Sequence, residues 1–185
     1  MSDLVFEKFP SIKRLKRNCV ITEKIDGTNA QIVFSEHGSM LVGSRKRQIT
    51  PEDDNYGFAR WAYDNHRELF NVLGEGRHYG EWWGSKIGRR YGKSNGDKVF
   101  SLFNSGRWKE EDLLAIDQLS VVPVLFTGEF TTDAVDSTMD TLKETGSIAA
   151  PGFNKPEGIV VYHTRLKEML KITFEHDDTG KPFGA

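Results

Sequence analysis

The sequence predicts an α+β domain of antiparallel sheets with flanking helices, and three observations lead there. Short runs rich in β-branched and aromatic residues alternate with Gly and Asn turns through the first half. Three longer segments read as helical. The regular strand–helix–strand alternation of a doubly wound parallel sheet is missing.

The elements follow in order. Cys19 to Glu23, Asn29 to Phe34 and Ser39 to Gly43 read as consecutive strands, broken by Asp26-Gly27 and His37-Gly38. Asp53 to Leu73 reads as one helix. Phe58, Trp61, Ala62, Leu69, Val72 and Leu73 fall largely on one face, acidic residues precede it and Gly74 follows. Arg77 to Trp83 and Lys98 to Phe103 have strand character. Lys109 to Leu119 reads as a short helix and Val121 to Phe126 as a buried strand. Thr132 to Thr145 is expected to be helical, stopped by Gly146 and the Pro151-Gly152 pair. Gly158 to His163 and Glu168 to Phe174 are read as two strands joined by a turn over Thr164 to Lys167.

The 185 residues suit one domain with a sizeable core, and 1–185 is read as a single domain. A lone cysteine, Cys19, cannot form an internal disulfide, and Val20 and Ile21 beside it place it in a buried strand. No apolar run reaches transmembrane length, and the N-terminus has no secretory h-region. A cytoplasmic location without membrane association is the expectation.

Net charge of −2 argues for no particular partner, but its distribution does. Basic residues cluster at Lys13, Arg14, Lys16 and Arg17, at Arg45 to Arg47, and at Lys86, Arg89, Arg90 and Lys93. Acidic residues concentrate at Glu52 to Asp54, Glu110 to Asp112 and Glu175 to Asp178. Such segregation builds a local positive face suited to a phosphate-rich partner.

The chemistry centres on Glu23-Lys24-Ile25-Asp26-Gly27-Thr28-Asn29. A lysine at the end of an apolar strand, followed by Asp-Gly, sits at the mouth of a tight turn. That placement can hold its amine in a cleft with a carboxylate nearby. A lysine nucleophile must lose a proton, and a reference pKa of about 10.4 demands cationic neighbours or a metal. Further on come Gly43-Ser44-Arg45, Tyr79-Gly80-Glu81-Trp82-Trp83-Gly84, Lys98 to Asn104, Pro156-Glu157-Gly158-Ile159-Val160-Val161 and Leu170-Lys171-Ile172-Thr173. Trp82 and Trp83 point to opposite faces of their strand, so at least one is core.

In this order and spacing the motifs resemble the covalent nucleotidyltransferase superfamily of RNA ligases, DNA ligases and mRNA capping enzymes. Thr28-Asn29 resembles the branch of ATP-dependent, compact phage-type RNA ligases and RNA-editing ligases; the other branches usually carry Arg at that place. The resemblance implies a nucleotidyltransferase domain related to ATP-grasp folds. It also implies an enzyme that joins strands through a lysine–AMP adduct on Lys24. It further implies ATP and Mg²⁺, with Mn²⁺ able to substitute, and RNA ends or nicks, or DNA, as partner.

Residue roles are carried over in the same way. Arg45 contacts the nucleotide and the adenylated phosphate, as a bidentate guanidinium can. Glu81 takes the ribose hydroxyl, and Glu23 and Asn29 lie at the nucleotide. Phe103 stacks on adenine, with Phe100 the alternative, and Val160 closes the base's other face. Glu157 and Asp26 order the metal through water, consistent with the reluctance of Mg²⁺ to dehydrate. Lys171 neutralises the triphosphate, whereas Thr173 stands where the family has a second lysine.

No OB-fold and no helical C-terminal domain are expected, and monomer and homodimer both stay open. Two other readings remain: a guanylyltransferase or DNA-ligase type of nucleotidyl-lysine enzyme, and a non-catalytic module that binds nucleotides or nucleic-acid ends.

Overall fold

Alternation along Asn18–Lys24 sets the architecture. Cys19, Ile21 and Glu23 are buried on one side of this first strand, β1, while Val20, Thr22 and Lys24 turn to the other. The computed structural model describes residues 7–9, 11, 12 and 17–175. Of the charged clusters, Lys13, Arg14, Lys16, Asp177 and Asp178 lie outside those residues.

Two sheets form. The first pairs β7 (Val124–Glu129), β1, β8 (Gly158–His163) and β9 (Glu168–Thr173) in that order, all antiparallel. The second runs β3 (Met40–Ser44), β2 (Thr28–Phe34), β4 (Gly76–Gly84), β5 (Lys98–Leu102) and β6 (Leu119–Val121). Its last pairing, β5 with β6, is parallel. The chain crosses between the sheets at Ile25–Gly27 and returns at Val122–Pro123.

Each sheet buries its outer face under helices. Helix α4 (Thr132–Thr145) lays Val135 and Leu142 against Cys19, Ile21, Ile159 and Val161. The hydroxyl of Thr131 caps it by accepting from the Ala134 amide at 3.1 Å. Helices α1 (Phe58–Asp64) and α2 (His66–Leu73) cover the five-stranded sheet, with Phe58, Trp61, Leu69 and Leu73 packed on Ile32, Trp82 and Phe100. A third cluster of Ile25, Trp83, Tyr91, Val122 and Ala150 sits at the two crossovers and ties the sheets together. Both adjacent tryptophans are therefore core, one in each of two clusters.

Three sequence expectations change. The single helix over Asp53 to Leu73 is two helices. Gly57 is left-handed at φ 81°, and the Asp54 carboxylate accepts from the Ala59 and Arg60 amides, so helix starts only at Phe58. Asn65 leaves helical geometry at φ −107° and donates its side-chain amide to the Trp61 carbonyl, separating α1 from α2. The helix over Lys109 to Leu119 shrinks to α3 (Glu110–Leu113), because Leu119 is drawn into β6 opposite Phe100. Nor is Val121 to Phe126 one buried strand. Pro123, with no N–H for a ladder, splits it between the two sheets, and β7 ends up as a half-exposed edge strand. The Pro123 carbonyl accepts from the Glu23 amide at 3.0 Å, which fixes the return crossover beside the start of the first.

Charge segregation is partly undone by pairing. Arg17 meets Glu129, Arg47 meets Asp53, Lys93 meets Asp97, and Arg89 meets Glu175. Cys19 is buried as expected, and among the described residues no helix is long and apolar enough to cross a membrane.

Candidate active site

The inner faces of the two sheets enclose a cleft of about 970 Å³. From the four-stranded sheet it receives Thr22, Lys24, Val160 and Lys171; from the five-stranded sheet it receives Asn29, Glu81 and Phe103. Pairing register explains the grouping. Thr22 lies opposite Val160 and Val160 opposite Lys171, while Asn29 lies opposite Glu81, so these side chains share one face in each sheet.

Lys24 ends β1 opposite Gly158. This brings Glu157, the residue before β8, against the amine: Nζ donates to Glu157 Oε2 at 2.7 Å, with both side chains about one-fifth exposed. Gly158 is needed for this approach, since a Cβ there would stand 2.1 Å from the Ile172 carbonyl oxygen of β9. The Glu-Gly pair thus joins the carboxylate that meets Lys24 to a backbone crossing that only glycine permits.

Glu81 is almost fully buried at the cleft floor. It accepts from the Asn29 side-chain amide at 2.8 Å and from the Gly27 N–H at 3.1 Å. Burial lifts its carboxyl to about 7, while the Asn29 and Gly27 hydrogen bonds and the Lys24 charge pull it the other way. Near neutral pH it therefore exchanges between an acceptor-only anion and a neutral acid.

Glu23 points to the back of the sheet. Its buried carboxylate accepts from the Ser147 hydroxyl at 2.6 Å and from the Ile148 and Ala149 amides at 2.8 and 2.9 Å. The side chain brackets the loop after α4, and the residue meets the cleft only along β1. Asp26 turns away too, accepting from the Arg89 N–H at 3.0 Å with the guanidinium 3.7 Å distant. Between the two aromatic candidates the burial decides. Phe100 is sealed in the core, whereas Phe103 is 40% exposed and lines the cleft. Arg45 stays exposed in the turn after β3, outside the cleft lining. Thr173 donates its hydroxyl to the Glu175 carbonyl at 2.7 Å.

Two residues at this site carried no signal of their own in the sequence. Tyr91 and Arg89 reach the Lys24–Asp26 turn from the loop after β4, 65 and 63 residues away in the chain from Asp26. Arg89 was visible only as a member of a basic cluster, and Tyr91 as one aromatic among many.

Two packed sheets around a shared cleft, with a lysine at the end of the strand that leads from one sheet to the other, define a nucleotidyltransferase fold of the RNA ligase type. The RNA ligase family profile matches residues 17–176, and this chain belongs to the RNA ligase family. No curated protein sequence matches it. Among solved structures it is similar to a point variant of Naegleria gruberi RNA ligase with AMP and Mn. That match has a TM-score of 0.59 and 17% identity, and covers 89% of this chain and 52% of that one. Another variant of that ligase, with ATP and Mn, matches at TM-score 0.58 and 17% identity over 89% and 52% of the two chains. The same organism's ligase with PPi gives 0.57 and 19% over 85% and 49%. The chain thus spans about half the length of the solved ligases it matches.

Proposed function

We propose that the protein is an ATP-dependent RNA ligase whose nucleophile is Lys24. The observation that carries this reading is one cleft holding Lys24 against Glu157 together with Glu81, Asn29, Phe103, Val160 and Lys171. Nζ attacks the α-phosphorus of ATP, forming a P–N bond as the bond to the bridging oxygen breaks and pyrophosphate leaves. Before that, the Lys24–Glu157 pair must open, and Glu157 is the acceptor in reach for the proton that Nζ gives up. AMP then passes to a 5′-phosphate end, and a 3′-hydroxyl attacks the activated phosphate with release of AMP. Every step is a displacement at phosphorus, so the demand on the protein is positioning and positive charge. Lys171 supplies charge from β9, and Phe103 and Val160 supply apolar faces for adenine from opposite walls. Glu81 is placed to accept from a ribose hydroxyl.

The cleft carboxylates suit a hydrated divalent ion better than a caged one. Among the described residues no group of three or more His, Cys, Asp or Glu side chains is placed to hold a metal, and Asp26 and Glu81 are already engaged by protein donors. Glu157 would then hold Mg²⁺ or Mn²⁺ through water, in keeping with the oxygen-rich, water-retaining shell of Mg²⁺, and Asp26 would join it only by leaving Arg89. When bound, the ion supplies positive charge to the phosphates.

RNA ends are the proposed partner, met by backbone contacts from exposed Arg45, Lys86 and Arg90 that carry no sequence information. Arg45 would reach the phosphates only once substrate bridges from the cleft to its turn. The free thiol of Cys19 suits a reducing cytoplasm.

Incubation with α- or γ-labelled ATP and Mg²⁺, followed by denaturing electrophoresis, tests the first step. Label retained from the α position alone, and lost in Lys24→Ala, is the expected result. Labelling from GTP instead of ATP would transfer the reading to a guanylyltransferase. No adduct with either nucleotide would refute it.

A further inference from the structure

Apart from the RNA contacts proposed for Lys86 and Arg90, the loop between β4 and β5 takes no part in the chemistry just outlined, yet its backbone is unusually constrained. Of the six non-glycine residues with positive φ among the described residues, four lie in it: Lys86, Arg90, Tyr91 and Asn95. Arg90 and Tyr91 are consecutive, at φ 62° and 46°. Two adjacent left-handed residues that both carry a Cβ persist only where the surroundings hold them in place.

Those surroundings lead to the Lys24 turn. The Tyr91 ring is buried between Trp83 and Phe153, with centroids at 5.3 and 4.7 Å. Its hydroxyl accepts from the Asp26 N–H at 3.0 Å and donates to the Lys24 carbonyl at 3.5 Å. Among the described residues the Asp26 N–H has no backbone partner, so the phenol supplies what the end of the ladder leaves out. Two residues earlier in the loop, the Arg89 N–H donates to the Asp26 carboxylate, and the guanidinium reaches Glu175 at 2.7 Å. Gly88 closes the contact. A Cβ there would stand 2.7 Å from the Asp26 carboxylate. Burial drives the phenol well above the ordinary tyrosine range, so it stays a neutral donor at working pH.

We propose that Tyr91 is a positioning residue for Lys24: its hydroxyl bridges the Lys24 carbonyl and the Asp26 amide, fixing the turn from which the amine is aimed at its target. The strained loop is the support that holds the hydroxyl there. Tyr91 touches no substrate in this scheme. It acts on the direction of the Lys24 side chain, where a displacement of about 1 Å costs on the order of a hundredfold in rate. The inference rests on the lysine–AMP reading above.

Tyr91→Phe removes the hydroxyl and leaves the ring packed on Trp83 and Phe153. The test is single-turnover lysine–AMP formation from labelled ATP and Mg²⁺, run well below the melting temperature of each protein. In parallel, amide hydrogen exchange is followed in the peptide containing Asp26. A rate at saturating ATP lowered at least fivefold is expected, with half-saturating ATP within twofold of wild type and faster exchange at Asp26. The pH dependence of the rate should keep its shape and lose height.

A rate within twofold of wild type in a folded variant would overturn the proposal, as would a loss appearing only as weaker ATP binding. If Tyr91→Phe does not fold, Gly88→Ala decides. Its Cβ presses on the Asp26 carboxylate of the same turn, and the variant should show the same split between rate and half-saturation. If wild type forms no adduct, the ligase reading fails by itself. Unchanged exchange at Asp26 in Tyr91→Phe would then still refute the bridge.

Discussion

Replacing Glu81 by Gln removes a proton-binding site that the fold has moved far from its free value. The carboxyl rises from 4.5 to about 7 because it is buried, so the folded protein binds this proton more tightly than the unfolded chain. The contribution of Glu81 to stability is therefore fully present below pH 4.5, and is lost as pH climbs through 7. At about 1.4 kcal/mol per unit, the wild type should lose ~2–3 kcal/mol through this group between pH 5 and 8. Glu81→Gln has no such group, and its stability should fall less over the same range by about that amount.

The assay is urea unfolding followed by tryptophan fluorescence at half-unit pH steps, for both proteins. His78, whose pKa burial lowers, gives a slope of opposite sign, losing stability as pH falls through the ordinary histidine range. It is present in both proteins and cancels in the difference. If the two profiles run parallel within ~0.5 kcal/mol, Glu81 is not a buried, proton-holding carboxyl and the description of the cleft floor is wrong.

The two aromatic candidates for adenine should separate cleanly. Phe103→Ala is expected to raise half-saturating ATP roughly tenfold in adduct formation with little change in urea midpoint, because the ring is exposed in the cleft. Phe100→Ala should cost about 3–5 kcal/mol in the same unfolding experiment, because it empties a site in the main core. Thr131→Ala removes the N-terminal cap of α4 and should lower unfolding free energy by ~1 kcal/mol without altering the ATP dependence of labelling.

How much was legible in the sequence varied with the range of the forces involved. Alternation in β1, β2 and β8 specified strands and their inward faces, because a period of two is a local property. Thr132–Thr145 was legible because its stop at Gly146 is also a local signal, whereas the Thr131 cap emerged only in the structure. Helix boundaries elsewhere were misread where local signals competed. Asn65 can continue a helix or end one, and its hydrogen bond to the Trp61 carbonyl ends it here. Leu119 had helical neighbours, but pairing with β5 placed it in a strand.

At the site, the order of motifs resembling the RNA ligase family singled out Lys24, Glu81, Glu157 and Lys171, and the roles proposed for them follow from that resemblance. The sequence alone determined that inventory, together with the strands that carry it. Only the tertiary structure decided which atoms meet. It gave Lys24 to Glu157, Asn29 to Glu81, Glu23 to the loop after α4, and the turn after Lys24 to Tyr91. Those choices rest on pairings across 52 to 133 residues for the first two and 125 and 65 for the others. Contacts over such separations are fixed by the register and packing of two sheets around one cleft, and no local pattern in the chain encodes them.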